Sequence, residues 1–408
     1  MNQTLNVHFV GIDCQSAFPV GQATTSKMTL LGRALIETGA TVTLLLTKAT
    51  ESRLAPLNNA TVGTHRGIQF EYTCGTPIRS SSFWVRRCQA VVSQCVLLTR
   101  LFQYWRRRHI VRTVLYLLND RPTWSLPAIL LAKALKFPVI ADVCEWRPAL
   151  SSSTLLQRLY IEHLLFRLVD GAIVISSHLH DRVATYVHHD KPRILDVPII
   201  VDPNEWARPP SGGPHAPYAL WCGQIDAYLG YVLWMVRAFA KATTGLPDVN
   251  LVIVGHAGYV ERTAIESESV ACGLSASRVV ITGYLSREQL ADAYANASVL
   301  LVPLEDDGRS KARFPHKLGE YLCSGNVVLT SRVGEVARYL EDHKSALLAV
   351  PGDADDFTAR LRWILLHPVE SAAIGRAGRE VATREFAYNQ YGPPVRLLVA
   401  QLLQGKVA

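Results

Sequence analysis

The chain has 408 residues, 49% of them apolar and 19% charged, with a formal charge of +8 at neutral pH. That length and apolar content suit two or three globular domains with full cores and exclude a disordered or fibrous chain. The eight cysteines are scattered with no Cys-x-x-Cys pair, which argues against a zinc site or a disulfide framework. No uninterrupted apolar run reaches the roughly 18 residues that cross a bilayer, because the best candidate, Leu126 to Val143, is broken by Lys133 and Lys136. The start, Met1-Asn2-Gln3-Thr4, lacks the basic and then apolar regions of a secretory signal, so a cytoplasmic location is expected.

In chain order, Leu5 to Val10 reads as a buried strand, followed by a loop to Ala23 and a helix with Met28, Leu31 and Leu35 on one face. Gly39 ends that helix and Val42 to Leu46 is the next strand. Strand Val114 to Leu118, a helix through Leu130 and strands Val139 to Val143, Ala172 to Ile175 and Val197 to Asp202 complete a first α/β half. The Pro- and Gly-rich stretch Ala207 to Pro217 can be neither helix nor central strand and marks a linker. The alternation then restarts with strands at Tyr218 to Cys222, Asn250 to Gly255, Val279 to Ile281, Val299 to Val302 and Val327 to Leu329, and Ser286 and Gln289 form a capping box. Two such halves predict an α/β chain with two Rossmann-like domains, residues 1–207 and 208–387, whose parallel sheets face a cleft between the domains.

Several loops could carry chemistry. Gly21 and Gln22 precede the first helix, where backbone N–H groups can face a phosphate or a sugar; a plain strand-to-helix turn reads equally well. Asp142 to Pro148 follows a buried strand, so Glu145 emerges at the carboxyl end of the sheet, unless it only pairs with Arg147 or Arg121. Arg86, Arg87, Arg100, Arg106 to Arg108, His109 and Arg112 sit among Phe102, Tyr104, Trp105 and Ile110, a mixture suited to an anionic membrane surface or to the solvated face of a helix. It lacks the stacking-platform pattern of nucleic-acid binders. Glu305, Asp306 and Asp307 lie beside a basic run, and His178, His180, His188 and His189 lack ligand spacing and companion cysteines, so no metal site is expected.

The most informative segment is Arg313 to Gly325. Pro315 suits the first helical position and Gly325 the stop. Lys317 falls in the first turn, where a cation opposes the helix dipole and makes best sense with an anion in front of it. Glu320 shares its face, so the two either hold a ligand with phosphate at one end and hydroxyls at the other or form an ordinary surface pair.

Pro315, Lys317, Leu318, Glu320, Tyr321, Leu322 and Gly325 match Pro-x-Lys-Leu-x-Glu-Tyr-Leu-x-x-Gly, and the segment resembles the donor-site helix of family 4 retaining glycosyltransferases of bacterial polysaccharide biosynthesis. The resemblance implies the GT-B fold, with a terminal helix at about residues 388–408 returning to the first domain. It also implies that Lys317 holds a donor diphosphate and Glu320 the nucleotide ribose, with Leu318 and Gly223 in the donor site. Glu145 matches an acid that meets the transferred sugar or the acceptor, and Gly21 and Gln22 the loop that borders phosphates and acceptor. The chain departs from the family at Gln224, Leu229 and Ala312, where an arginine, a lysine and a first glutamate would stand; Arg313 and Arg309 are the expected substitutes for the missing cations.

The implied activity is transfer of a hexose from a nucleotide diphosphate sugar to a saccharide acceptor, lipid-linked in the leading reading. Configuration is retained, and neither metal nor cofactor takes part. The implied place is the cytoplasm, peripheral on the inner face of the membrane, with no nucleic-acid partner. The alternative is an inactive scaffold that keeps the fold and the nucleotide site.

Overall fold

A computed structural model describes residues 7–13, 18, 23–54, 56, 58–118, 121–149, 153–188, 192–209, 217–246 and 248–404. The chain divides into two compact units, one formed by Met1–Ile200 with Tyr388–Ala408 and the other by Val201–Ala387.

In the first unit, β1 (Val7–Asp13), α1 (Ala23–Glu37), β2 (Thr41–Leu46), β3 (Val62–His65), β4 (Ile68–Tyr72), α2 (Phe83–Arg106) and β5 (Arg112–Leu117) come first. They are followed by α3 (Pro122–Ala134), β6 (Val139–Val143), α4 (Leu155–Tyr160), α5 (Phe166–Leu168), β7 (Gly171–Val174), α6 (Ser177–Ala184) and β8 (Arg193–Asp196). The strands form one sheet in the order β3-β4-β2-β1-β5-β6-β7-β8, parallel except for the antiparallel β3–β4 edge. Its central strands are apolar on both faces, as a sheet covered on both sides requires.

The second unit holds α7 (Pro203–Trp206), β9 (Tyr218–Cys222), α8 (Leu229–Ala242), β10 (Asn250–Val254), α9 (Tyr259–Ala271), β11 (Val279–Gly283), α10 (Arg287–Asn296) and β12 (Val299–Val302). It continues with α11 (Gly308–Ala312), α12 (His316–Ser324), β13 (Val328–Ser331), α13 (Glu335–Tyr339), β14 (Leu347–Ala349), α14 (Ala354–Leu366) and α15 (Pro368–Glu385). Its strands pair in the order β11-β10-β9-β12-β13-β14, all parallel. From β9 the chain goes first to one side and later to the other, so the strand order reverses between β9 and β12. Crossover helices leave a crevice beyond the carboxyl ends of the strands at such a switch point.

The last helix, α16 (Gly392–Gln404), belongs to the first unit. Its Val395, Leu398, Val399 and Leu402 are buried with Val7, Phe9, Leu31 and Leu35. Gly392 admits no side chain there, because a Cβ would lie 2.3 Å from the carbonyl oxygen of Ala34.

One expectation is corrected. Val197 to Asp202 is not a strand; the ladder strand is Arg193–Asp196, and Val197, Ile199, Ile200 and Val201 are fully buried outside it. Pro198 has no N–H to give a ladder, so the apolar run signalled burial and not pairing. The β3–β4 hairpin was not anticipated. Arg66 and Gly67 both have positive φ (49° and 83°), the geometry of a tight hairpin turn, and the usual Asn-Gly signal is missing. Of the expected linker, residues 210–216 lie outside the described residues.

Candidate functional site

The switch point of the second unit is where the chemistry-bearing residues gather. After β12 the chain makes the short helix α11, whose Asp307 carboxylate accepts from the Ser310 N–H at 2.6 Å. Phe314 then anchors the backbone, buried against Tyr339 (5.6 Å between ring centres) and Phe386 (5.4 Å). Pro315 caps α12 with extended backbone, one position earlier than a first helical residue, and Gly325 ends the helix at φ +84°.

Helix α12 grips the end of β9 with two side chains one turn apart. The Cys222 N–H donates to the Tyr321 hydroxyl at 2.8 Å, and Lys317 Nζ donates to the Cys222 carbonyl at 2.6 Å. The Lys317 ammonium also stands 4.6 Å from the centre of the Trp221 ring. Burial pushes the Lys317 pKa down, with Cys222 and Glu320 partly opposing it. A desolvated cation at the positive end of a helix is poorly placed on its own, and an anion in front of it relieves both costs. Gly223 leaves that approach open: a Cβ there would meet the Trp221 ring at 2.7 Å and Lys317 Nζ at 3.1 Å.

Glu320 does not form the ordinary surface pair with Lys317. Its carboxylate lies 3.4 Å from His316 Nδ1, and both side chains are largely covered, at 13% and 9% exposure. Neither ring nitrogen of His316 has a hydrogen-bond partner of normal geometry among the described residues. Leu318 is fully buried, so its side chain lies beneath the site and not in it. Ala312 is buried as well, where the resemblance would put a first glutamate.

Arg309 and Arg313 converge on one oxygen. Arg309 Nη2 and Arg313 Nη1 donate to the Tyr228 hydroxyl at 3.3 and 3.2 Å, and the Arg309 guanidinium lies 5.5 Å from the Tyr228 ring centre. Tyr228 closes the short 3-10 turn Asp226–Tyr228 directly before α8. The half-buried Arg313 has its pKa lowered by desolvation. Lys311 turns away to Asp306 at 2.8 Å, and Gln224 is exposed.

In the first unit, Glu145 follows β6 and lines a pocket with Asp142, Trp146, Arg147, Ile161 and Phe166. Beside it Lys27 of α1 makes a buried ion pair with Asp142 at 2.6 Å and donates to Cys144 Sγ at 3.1 Å. Asp142 and Cys144 outweigh burial and raise the Lys27 pKa, and burial carries the Cys144 thiol up to about 11. Gly21 and Gln22 lie outside the described residues. Among the described residues no cluster of three or more His, Cys, Asp or Glu could hold a metal ion.

Lys27, Tyr228, His316 and Tyr321 were not singled out as site residues from the sequence. A lysine beside Met28 on an apolar helix face was the available signal for Lys27. Tyr228 offered none, because its partners are more than eighty residues away.

The two α/β units have the GT-B fold. Sucrose-phosphate synthase from Thermosynechococcus elongatus aligns over 98% of this chain and 100% of its own, with a TM-score of 0.75 and 18% identity. Anabaena HepE in complex with UDP and glucose aligns over 97% and 100%, with a TM-score of 0.69 and 12% identity. At such identities the likeness establishes the architecture. Residues 216–367, most of the second unit, match the family described as Glycosyl transferases group 1. Curated relatives include sulfoquinovosyl transferase SQD2 of Arabidopsis thaliana, 26% identical over 173 residues (42% of this chain), and a GDP-mannose-dependent alpha-(1-6)-phosphatidylinositol monomannoside mannosyltransferase of Mycolicibacterium smegmatis, 28% identical over 176 (42% of this chain). The matches span 31% and 44% of the length of those two relatives.

Proposed function

We propose that the protein is a retaining glycosyltransferase that moves a hexose from a nucleotide diphosphate sugar to a saccharide acceptor carried on a lipid, in polysaccharide or glycolipid biosynthesis. The observation that carries this reading is the desolvated Lys317 at the start of α12, beside a glycine that keeps its front open. The group 1 match over the same residues supports it.

In the proposed reaction the bond from the anomeric carbon to the diphosphate oxygen breaks, and a bond to the acceptor oxygen forms on the same face of the sugar. The acceptor proton passes to the released diphosphate, so no protein nucleophile is needed. Lys317, Arg313 and the first N–H groups of α12 stabilise the charge that grows on the leaving group. Glu320, which lies beside His316, takes the ribose hydroxyls, and Glu145 meets the sugar or the acceptor. Metal-independent transfer fits the acidic run, since Asp306 is paired with Lys311 and Asp307 caps α11.

A lipid-linked acceptor is supported by one face of the first unit. Helix α2 packs on α3, and α3 on α4. These helices expose Trp84 (76%), Leu130 (54%) and Leu155 (73%), and residues 73–119 contain eight arginines and no carboxylate. Exposed apolar groups beside an arginine-rich stretch suit an anionic bilayer surface, with Arg100 of that stretch paired to Glu71 at 2.8 Å. Among the described residues no helix is long and apolar enough to cross a membrane.

The test is thermal stabilisation by UDP, GDP, ADP, TDP and their sugars, with Mg²⁺ and with EDTA, followed by hydrolysis of the stabilising sugar nucleotide without acceptor. Stabilisation by one nucleotide family, indifferent to metal, with slow release of free sugar is the expected result. Stabilisation with no turnover, with or without acceptor, would favour the inactive scaffold, and no stabilisation at all would overturn the nucleotide site.

A further inference from the structure

Tyr228 stands where the chain departs from its relatives' pattern, between Gln224 and Leu229, which take the places of the expected cations. Its hydroxyl accepts from Arg309 at 3.3 Å and from Arg313 at 3.2 Å. A phenol oxygen that accepts two hydrogen bonds still has one proton to give. Among the described residues no acceptor takes that proton. The Tyr228 ring itself is fixed, packed against the core beneath α8.

Two guanidinium groups brought to one neutral oxygen present several N–H donors side by side. An anion with several oxygens can accept from both. Both donors are charged, so they polarise the O–H bond and strengthen it as a donor in turn.

We propose that the Tyr228 hydroxyl is an anion-binding group that sets Arg309 and Arg313 side by side and donates its own proton to a diphosphate oxygen. The inference rests on the nucleotide-site reading above and names a residue which that reading does not use. It also accounts for how a loop without its arginine and lysine keeps a diphosphate site: the charge comes from the α11 segment, and Tyr228 supplies the point on which it converges.

The test compares wild type with Tyr228→Phe, which keeps the ring and its stacking with Arg309 and removes one oxygen. Binding of inorganic pyrophosphate, of the nucleotide diphosphate that stabilises the wild type and of the corresponding nucleoside is measured by calorimetry. Loss of a hydrogen bond to a charged group is expected to weaken pyrophosphate and nucleotide diphosphate roughly tenfold or more, with nucleoside affinity and the melting temperature of the free protein unchanged. Equal diphosphate affinity in the two proteins would overturn the inference and leave the nucleotide site standing. An equal loss of nucleoside and diphosphate would overturn it as well, since it would mark a general disturbance. Pyrophosphate binding without nucleotide binding in wild type would overturn the nucleotide-site reading, while Tyr228→Phe still decides the role of the hydroxyl. Wild type that binds neither would overturn both. If Tyr228→Phe melts early, Arg309→Gln and Arg313→Gln carry the comparison, and each must weaken pyrophosphate selectively.

Discussion

Lys317 donates to the carbonyl of Cys222, 95 residues back in the chain, at 2.6 Å, so its ammonium rests on the backbone of the strand that ends at the switch point. The lysine is thus positioned before any ligand arrives. Lys317→Ala is expected to lower kcat about 100-fold, as loss of a donor to a developing anion does, with a smaller change in KM. A rise in KM with kcat unchanged would show that the lysine binds ground state and transition state alike.

The same lysine gives a pH signature. Burial holds its pKa below the ordinary 10.5, so the unfolded chain binds the proton more tightly than the folded one. Stability should therefore rise as pH climbs from the depressed folded value towards 10.5, and be lowest below that window, where both states are charged. Melting curves from pH 7 to 10.5 for wild type and Lys317→Met check this; the variant is expected to lack the upward slope.

Gly223→Ala tests the close approach at the end of β9. The new methyl would press on the Trp221 ring and on Lys317 Nζ. Overpacking of this kind costs about 1–3 kcal/mol, and the displaced ammonium is expected to lose nucleotide affinity as well. Urea unfolding and nucleotide titration, with tryptophan emission as the local probe, measure both effects.

Lys27 and Asp142 form a pair with side chains only 5% and 4% exposed. Lys27→Met leaves a buried carboxylate uncompensated and should destabilise the first unit by about 3–5 kcal/mol. Lys27→Met with Asp142→Leu is expected to recover most of that loss. A double variant no more stable than Lys27→Met would mean that the pair is needed for more than charge balance.

The basic helical face gives a further test. Trp84→Ser with Leu155→Ser is expected to reduce cosedimentation with vesicles containing phosphatidylserine, and hydrolysis of a soluble sugar nucleotide should stay at the wild-type level. Vesicle binding that is the same in wild type and variant, or insensitive to salt, would remove the membrane reading.

What the sequence made legible was local. Pro315, Lys317, Glu320 and Gly325 lie within eleven residues, and helical periodicity alone places them; the capping box at Ser286 and Gln289 formed for the same reason. What stayed hidden was assembled at a distance. Lys27 meets Asp142 across 115 positions and Arg313 meets Tyr228 across 85, and no periodicity reports such pairs. Val197 to Val201 misled in another way, since an apolar run records burial and is silent on whether its amides join a ladder.

Helix α16 gives the chain an order of assembly. The second unit is one continuous stretch, Val201–Ala387, but the first closes its core with Val395, Leu398, Val399 and Leu402. During synthesis those residues reach the first sheet only after the whole second unit has emerged. The N-terminal half, made first, is therefore the last to be sealed, and until then Val7, Phe9 and Leu35 lie open to chaperones and to other nascent chains.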